Sequence, residues 1–178
     1  ALIGEKEVIF LGSGTTTLYV AKELYERNDI TVLSNAITII ITHQSRPGKK
    51  DFTSLEAHAA RLEQLLGKPV TFVDDIFGHS AQDAIRDAKP GDVIMLENVR
   101  FNAEENLKIS GEESAKTLLI RKLSRMGDIF VNDAFGTAHR GHASNTGVAA
   151  HLVSVAGFLM EKEVEMLGMA IENPEHPY

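Results

Sequence analysis

Short apolar runs rich in β-branched residues recur along the chain, and they constrain its fold more than any other feature. Val8 to Leu11, Ile30 to Leu33, Ile37 to Ile41, Val70 to Val73, Val93 to Leu96 and Asp128 to Val131 are each four or five residues long. Runs of that length, closed by Gly, Pro, Asn or Asp, read as strands. Segments with helical spacing separate them: Leu18, Ala21, Leu24 and Tyr25; then Leu55, Ala59, Leu62 and Leu66; then Ser80 to Ala88. A helix is expected from about Glu113 to Met126, with Leu118, Leu119 and Leu123 facing inward, and another from Phe158 to Ala170. The polar stretch 102–112 and the Gly-, Ala-, Ser- and His-rich stretch 141–157 carry no such pattern. Strands that alternate with helices build a mostly parallel sheet covered on both faces. The expected fold is therefore α/β: a three-layer α/β/α arrangement on a Rossmann-like sheet, one domain over residues 1–178.

Charge and composition narrow the function classes. The formal net charge is −7, from 25 acidic and 18 basic residues, which disfavours a nucleic-acid partner but leaves room for a local anion site. No cysteine is present, so disulfides and thiolate metal sites are excluded; a reducing cytoplasm is the default location. No apolar stretch reaches transmembrane length, and Ala1-Leu2-Ile3-Gly4-Glu5 does not read as a signal peptide, so no membrane partner is expected.

Ligands in open parallel sheets bind beyond the carboxyl ends of the strands. Three polar loops fall there: one with His43 and Arg46, one with Asn98 and Arg100, one with Asn132, Asp133, Thr137, His139 and Arg140. Guanidinium forks match carboxylate and phosphate oxygens in two-point contacts. Three arginines on one crevice would suit a small di- or trianion. The competing reading is that each arginine pairs with a nearby acid such as Glu97 or Asp133. Asp74, Asp75 and Asp133 read as caps of strand ends and loops rather than as magnesium ligands, and His142 and His151 form no metal-ligand spacing.

The same loops carry a resemblance. Thr42-His43-Gln44-Ser45-Arg46-Pro47-Gly48, Leu96-Glu97-Asn98-Val99-Arg100-Phe101 and Val131-Asn132-Asp133-Ala134-Phe135-Gly136-Thr137-Ala138-His139-Arg140 resemble three signature motifs of phosphoglycerate kinases, in order. Gly157-Phe158-Leu159-Met160-Glu161-Lys162-Glu163 is similar to that family's segment leading to the interdomain helix. The resemblance covers residues 37–178, with 37–170 like the substrate-binding N-terminal domain and 171–178 like an interdomain linker cut short. It implies phosphoryl transfer between 1,3-bisphosphoglycerate and ADP in an intact glycolytic enzyme, and binding of a small phosphorylated metabolite by this part. It implies that His43, Arg46, Arg100 and Arg140 contact the anion, that Arg46 and Arg140 clamp its phosphate or carboxylate end, and that His139 lines or supports the site. His43 would donate a hydrogen bond to the carboxylate. Two departures stand out: the family's opening Asp-Phe-Asn strand and its following arginine loop are missing, and no nucleotide glycine loop is found. No cofactor is therefore expected in this chain, magnesium with ATP or ADP being expected only for an intact kinase, and no turnover is expected from this part alone.

Residues 1–36 point elsewhere. Val8-Ile9-Phe10-Leu11-Gly12-Ser13-Gly14-Thr15-Thr16-Thr17, followed by Ile30-Thr31-Val32-Leu33-Ser34-Asn35, resembles the effector domain of DeoR-type sugar regulators. That resemblance implies a sugar-phosphate loop made by Ser13, Gly14, Thr15, Thr16 and Thr17, where hydroxyls and free amides face an anion at a helix start. A helix cap without ligand is the alternative. The change of resemblance near residues 36–38 suggests a chimera of two parallel-sheet proteins. Its readings are a glycerate-phosphate domain, a sugar-phosphate effector module, or a structural chimera without ligand. A helix or strand duplicated at the join would be extruded, or would promote a dimer through an exposed sheet edge.

Overall fold

The computed structural model describes residues 8–11 and 36–172. Ile30 to Leu33, the helix expected around Leu18 to Tyr25 and the Ser13 to Thr17 loop lie outside the described residues. The strands are β1 (Val8–Leu11), β2 (Ile37–Ile40), β3 (Val70–Val73), β4 (Val93–Leu96), β5 (Ile129–Asn132) and β6 (Val153–Ala156). The helices are α1 (Glu56–Leu66), α2 (His79–Asp87), α3 (Gly111–Ser114), α4 (Leu118–Leu123), α5 (Phe135–Ala138) and α6 (Phe158–Glu172).

The six described strands form one sheet in the order β3-β4-β2-β1-β5-β6, and every neighbouring pair among them is parallel. β1 runs through the centre, with Phe10 opposite Ile39 of β2 on one side and Phe130 of β5 on the other. The regulator-like strand thus pairs in continuous register with both neighbours.

Side chains alternate across a strand, so a sheet buried on both faces needs apolar residues at every position. β2 and β4 meet that demand. Ile37, Ile39, Ile94 and Leu96 face one layer with Ala81 of α2 and Leu119, Ile120 and Leu123 of α4. Ile40, Val93 and Met95 face the other, against Leu55 and the Ala59 and Leu62 stripe of α1. α1 stops at Gly67, which takes φ 64° and donates its N–H to the Glu63 carbonyl, a left-handed closure that glycine adopts without steric cost.

Two expectations need correction. The helix expected over 113–126 is broken into α3 and α4. Ser110 and Glu113 form a capping box that starts α3, and the Thr117 hydroxyl accepts the Ile120 N–H to start α4 anew. Thr117 Oγ1 also donates to the Ser114 carbonyl (2.6 Å), so the side chain competes with the helical ladder. The reset turns Leu118 outward, 53% exposed, while Leu119, Ile120 and Leu123 are buried. The second correction is in 141–157, which holds a π-turn at Ala143–Gly147 and the edge strand β6. All four residues of β6 are exposed, so its Val153-Ser154-Val155-Ala156 run has no buried face.

Candidate functional site

Because every strand is parallel, the loops after β2, β4 and β5 leave the same edge of the sheet. Asn98 stitches the first two together: its side-chain amide donates to the Gln44 and Thr53 carbonyls (3.0 Å each), and its Oδ1 accepts the Arg100 N–H (3.1 Å). Glu97, buried beneath, accepts the backbone N–H of Leu55 (2.9 Å) and of Asn98 (2.5 Å). In the third loop, Asn132 Nδ2 donates to Asn145 Oδ1 (2.6 Å), and the Asn145 amide donates to the Thr137 and Arg140 carbonyls (3.2 and 3.4 Å). These amide contacts hold the Arg140 backbone. Asp133 accepts the Met160 N–H (3.0 Å) at the start of α6. Glu97 and Asp133 therefore serve backbone amides, not the arginines.

Arg46, Arg100 and Arg140 line one cavity of about 480 Å³ with Asn106, Leu107, Lys108, Ile109, Gly141 and His142. Among the described residues no carboxylate lines it. Arg46 is exposed at the rim, whereas Arg100 is only 6% exposed. Arg100 Nη1 donates to the Ser45 carbonyl (2.5 Å), and Nη2 lies 3.4 Å from His142 Nε2. Ser45 takes φ 57°, a left-handed conformation that costs a serine free energy and turns its carbonyl to the guanidinium. Its hydroxyl donates to Asp51 Oδ1 (2.6 Å). Arg100 Nε and His43 Nδ1 are buried without a hydrogen-bond partner among the described residues.

Electrostatics follow from this crowding. Burial, and then the positive charges of Arg100, His142, Arg140 and Arg46, push His43 down to about 4, so its imidazole is neutral at physiological pH. Burial also lowers His142; its bond to the Glu105 carbonyl opposes this, and Arg100, Arg140 and Arg46 add to it. Arg100 is lowered first by burial, against the favourable charge of Glu105, and further by Arg46 and Arg140. Like charges held this close form a site that an anion would stabilise.

Arg46, Arg100 and Arg140 thus stand together on the cavity wall, and His43 lies within reach of their charges without itself lining the cavity. His139 does not join them: it is exposed on the turn after α5 and does not line the cavity. His142 was missed by sequence reasoning. Its signal was the second histidine three residues beyond His139, in a stretch with no periodicity. A magnesium ion does not fit this crevice, because its walls are cationic, and no three carboxylates or imidazoles converge as a metal site among the described residues. Asp75 caps α2, its oxygens accepting the Phe77, Gly78 and Ala81 N–H groups. No helix among the described residues is long and apolar enough to cross a membrane.

Fold and site together define a parallel α/β domain with an arginine-walled anion crevice at the carboxyl edge of its sheet. The chain belongs to the phosphoglycerate kinase family, whose model matches residues 28–178. It is 55% identical over 148 residues to a phosphoglycerate kinase of Methanocorpusculum labreanum, covering 83% of this chain and 36% of that protein. It is 50% identical over 142 residues to the enzyme of Methanobacterium bryantii, covering 80% and 35%. The chain therefore spans about a third of the length of these relatives. The crystal structure of phosphoglycerate kinase from Pyrococcus horikoshii superposes with a TM-score of 0.82 at 38% identity, over 96% of this chain and 44% of that one. A second family, the DeoR C-terminal sensor domain, matches residues 1–53. The two matches overlap over 28–53, as in a composite of two parallel-sheet proteins.

Proposed function

We propose that the chain binds a small phosphorylated carboxylate, of the 3-phosphoglycerate and 1,3-bisphosphoglycerate class, in the crevice of Arg46, Arg100 and Arg140. What carries the reading is the wall itself: three arginines, a lysine and a histidine, with no carboxylate among the described lining residues, in a chain of net charge −7. Acids are plentiful here, and their exclusion from one concave patch is the mark of an anion site. Arg46 and Arg140 grip the phosphate or carboxylate in two-point contacts, and neutral His43 donates one hydrogen bond without adding charge. His139 serves from outside the cavity. These residues are assigned binding rather than turnover, because neutralising and orienting an anion is what guanidinium and neutral imidazole groups do. Membership of the phosphoglycerate kinase family supports the ligand class. The proposal places the chain in the cytoplasm, and any self-association at the exposed β6 edge.

A two-dimensional amide NMR titration with 3-phosphoglycerate, with inorganic phosphate as control, tests the reading. Saturable shifts at residues 43–46, 98–101 and 137–142, weaker for phosphate and lost in Arg46→Ala and Arg140→Ala, are the expected result. Peaks that stay still up to millimolar ligand overturn it. The match of residues 1–53 to a sensor domain favours a second reading, a sugar phosphate held by Ser13, Gly14, Thr15, Thr16 and Thr17. Titration with ribose 5-phosphate distinguishes it, because the shifts would then fall on residues 13–17 and vanish in Ser13→Ala and Thr15→Ala.

A further inference from the structure

Glu105 is 0% exposed in the 3-10 turn Ala103–Asn106 that follows Arg100, yet it does not line the crevice. One residue takes both of its carboxylate oxygens. The Ser144 N–H donates to Oε2 (2.8 Å) and the Ser144 hydroxyl to Oε1 (2.7 Å). The backbone of Glu105 is tied to the same turn, for its carbonyl lies 3.1 Å from His142 Nδ1. We propose that Glu105 is a positioning residue of the anion crevice: clasped by Ser144, it fixes the turn bearing His142, and His142 holds the Arg100 guanidinium toward the ligand.

The inference rests on the reading of the crevice as the anion site, and its chemistry follows from donors and acceptors. Arginine only donates, so His142 Nε2 must present a lone pair to Arg100 Nη2 at 3.4 Å. The proton then sits on Nδ1, where a carbonyl can accept it. Glu105 thus sets the tautomer of His142 with its backbone and the place of that backbone with its side chain. Asn106 works beside it, donating from Nδ2 to the Arg100 carbonyl (3.3 Å). Burial raises the Glu105 carboxyl above the ordinary carboxylate range, and the two Ser144 bonds and the Arg100 charge act against that rise. The clasp itself works through hydrogen bonds, which a neutral amide of the same shape can also make.

The test compares Glu105→Ala, Glu105→Gln and Ser144→Ala in the full chain. The ring-nitrogen shifts of His142 are read without ligand, and the dissociation constant of 3-phosphoglycerate is read separately. The wild-type ring is expected as a single Nδ1–H tautomer at neutral pH. Glu105→Ala is expected to release it into exchange between tautomers and to weaken binding about tenfold, as misplaced binding groups do. Ser144→Ala, which deletes one of the two clasp bonds, is expected to move both readouts in the same direction by less. Glu105→Gln should restore both, because its amide oxygen can accept the Ser144 N–H while its amide nitrogen donates to the hydroxyl. A wild-type tautomer and affinity in Glu105→Ala overturn the proposal, as does Glu105→Gln behaving like Glu105→Ala. Should Glu105→Ala not fold, unchanged readouts in Ser144→Ala overturn it. If 3-phosphoglycerate does not bind the wild type, the reading of the site fails, while the tautomer measurement still decides the role of Glu105.

Discussion

His43 sits within the fields of Arg46, Arg100, Arg140 and His142, and its protonation reports the state of the whole crevice. Its folded value, about 4, lies below the ordinary 6.5, so the native state binds fewer protons than the unfolded chain. The stability that His43 contributes is complete above about pH 6.5 and is lost as pH falls toward 4. Urea midpoints at pH 7 and 4.5 should therefore fall less in His43→Gln than in the wild type. A bound anion offsets the arginines, so the His43 ring, followed by NMR, should titrate at higher pH when 3-phosphoglycerate is present. Arg100→Lys keeps a charge but loses the fork that reaches Ser45 and His142 together, and should weaken binding about tenfold in the same titration. The arginines could be placed on strand-end loops from the sequence, but spacing alone left them open to pairing with nearby acids, and it was the motif resemblance that grouped them. His142 and Glu105 were not legible. Their roles come from contacts with residues far along the chain, Arg100 with His142 and Glu105 with Ser144, which no local pattern encodes.

Among the elements, those with two buried faces were the most legible. β2 and β4 announce themselves because each of their residues is buried, leaving continuous apolar runs. β6 escaped because it lies at the edge with Val153 70% exposed, so pairing with β5 rather than side-chain burial makes it a strand. The break between α3 and α4 escaped because Thr117 can sit within a helix or cap one, and the contacts of Ala115 help decide: His151 Nε2 lies 2.8 Å from the Ala115 carbonyl. α6 shows how an element is tied to the site. The Asp133 carboxylate accepts the Met160 N–H, and a Cβ on Gly157 would lie 2.3 Å from Asp133 Cγ. Asp133→Ala should cost about 1–2 kcal/mol, the worth of a helix cap, in urea unfolding. Gly157→Ala should cost about 1–3 kcal/mol by forcing Asp133 aside, and should disturb the amide peaks of 158–161.

At the scale of the molecule, binding and folding share one reservoir of free energy. A ligand that holds the three polar loops together binds the native state alone. 3-Phosphoglycerate at a hundred times its dissociation constant should stabilise the fold by about 2.7 kcal/mol. For a chain of this size that raises the thermal midpoint by about 5–10 °C, which calorimetry would measure. The rise should shrink with added sodium chloride, since part of the attraction is screened at the rim where Arg46 is exposed. The α/β architecture was legible at this scale from alternation alone, whereas the strand order was not, because pairing partners are chosen by crossovers rather than by composition. β1 sharpens that point. Its pairing with Ile37–Ile40 and Ile129–Val131 is made by backbone groups, which are alike in every protein. The centre of this sheet is therefore a socket rather than a signature. Ancestry can change hands there in mid-sequence without leaving a gap in the ladder, so a seam between lineages need not be a seam in the molecule.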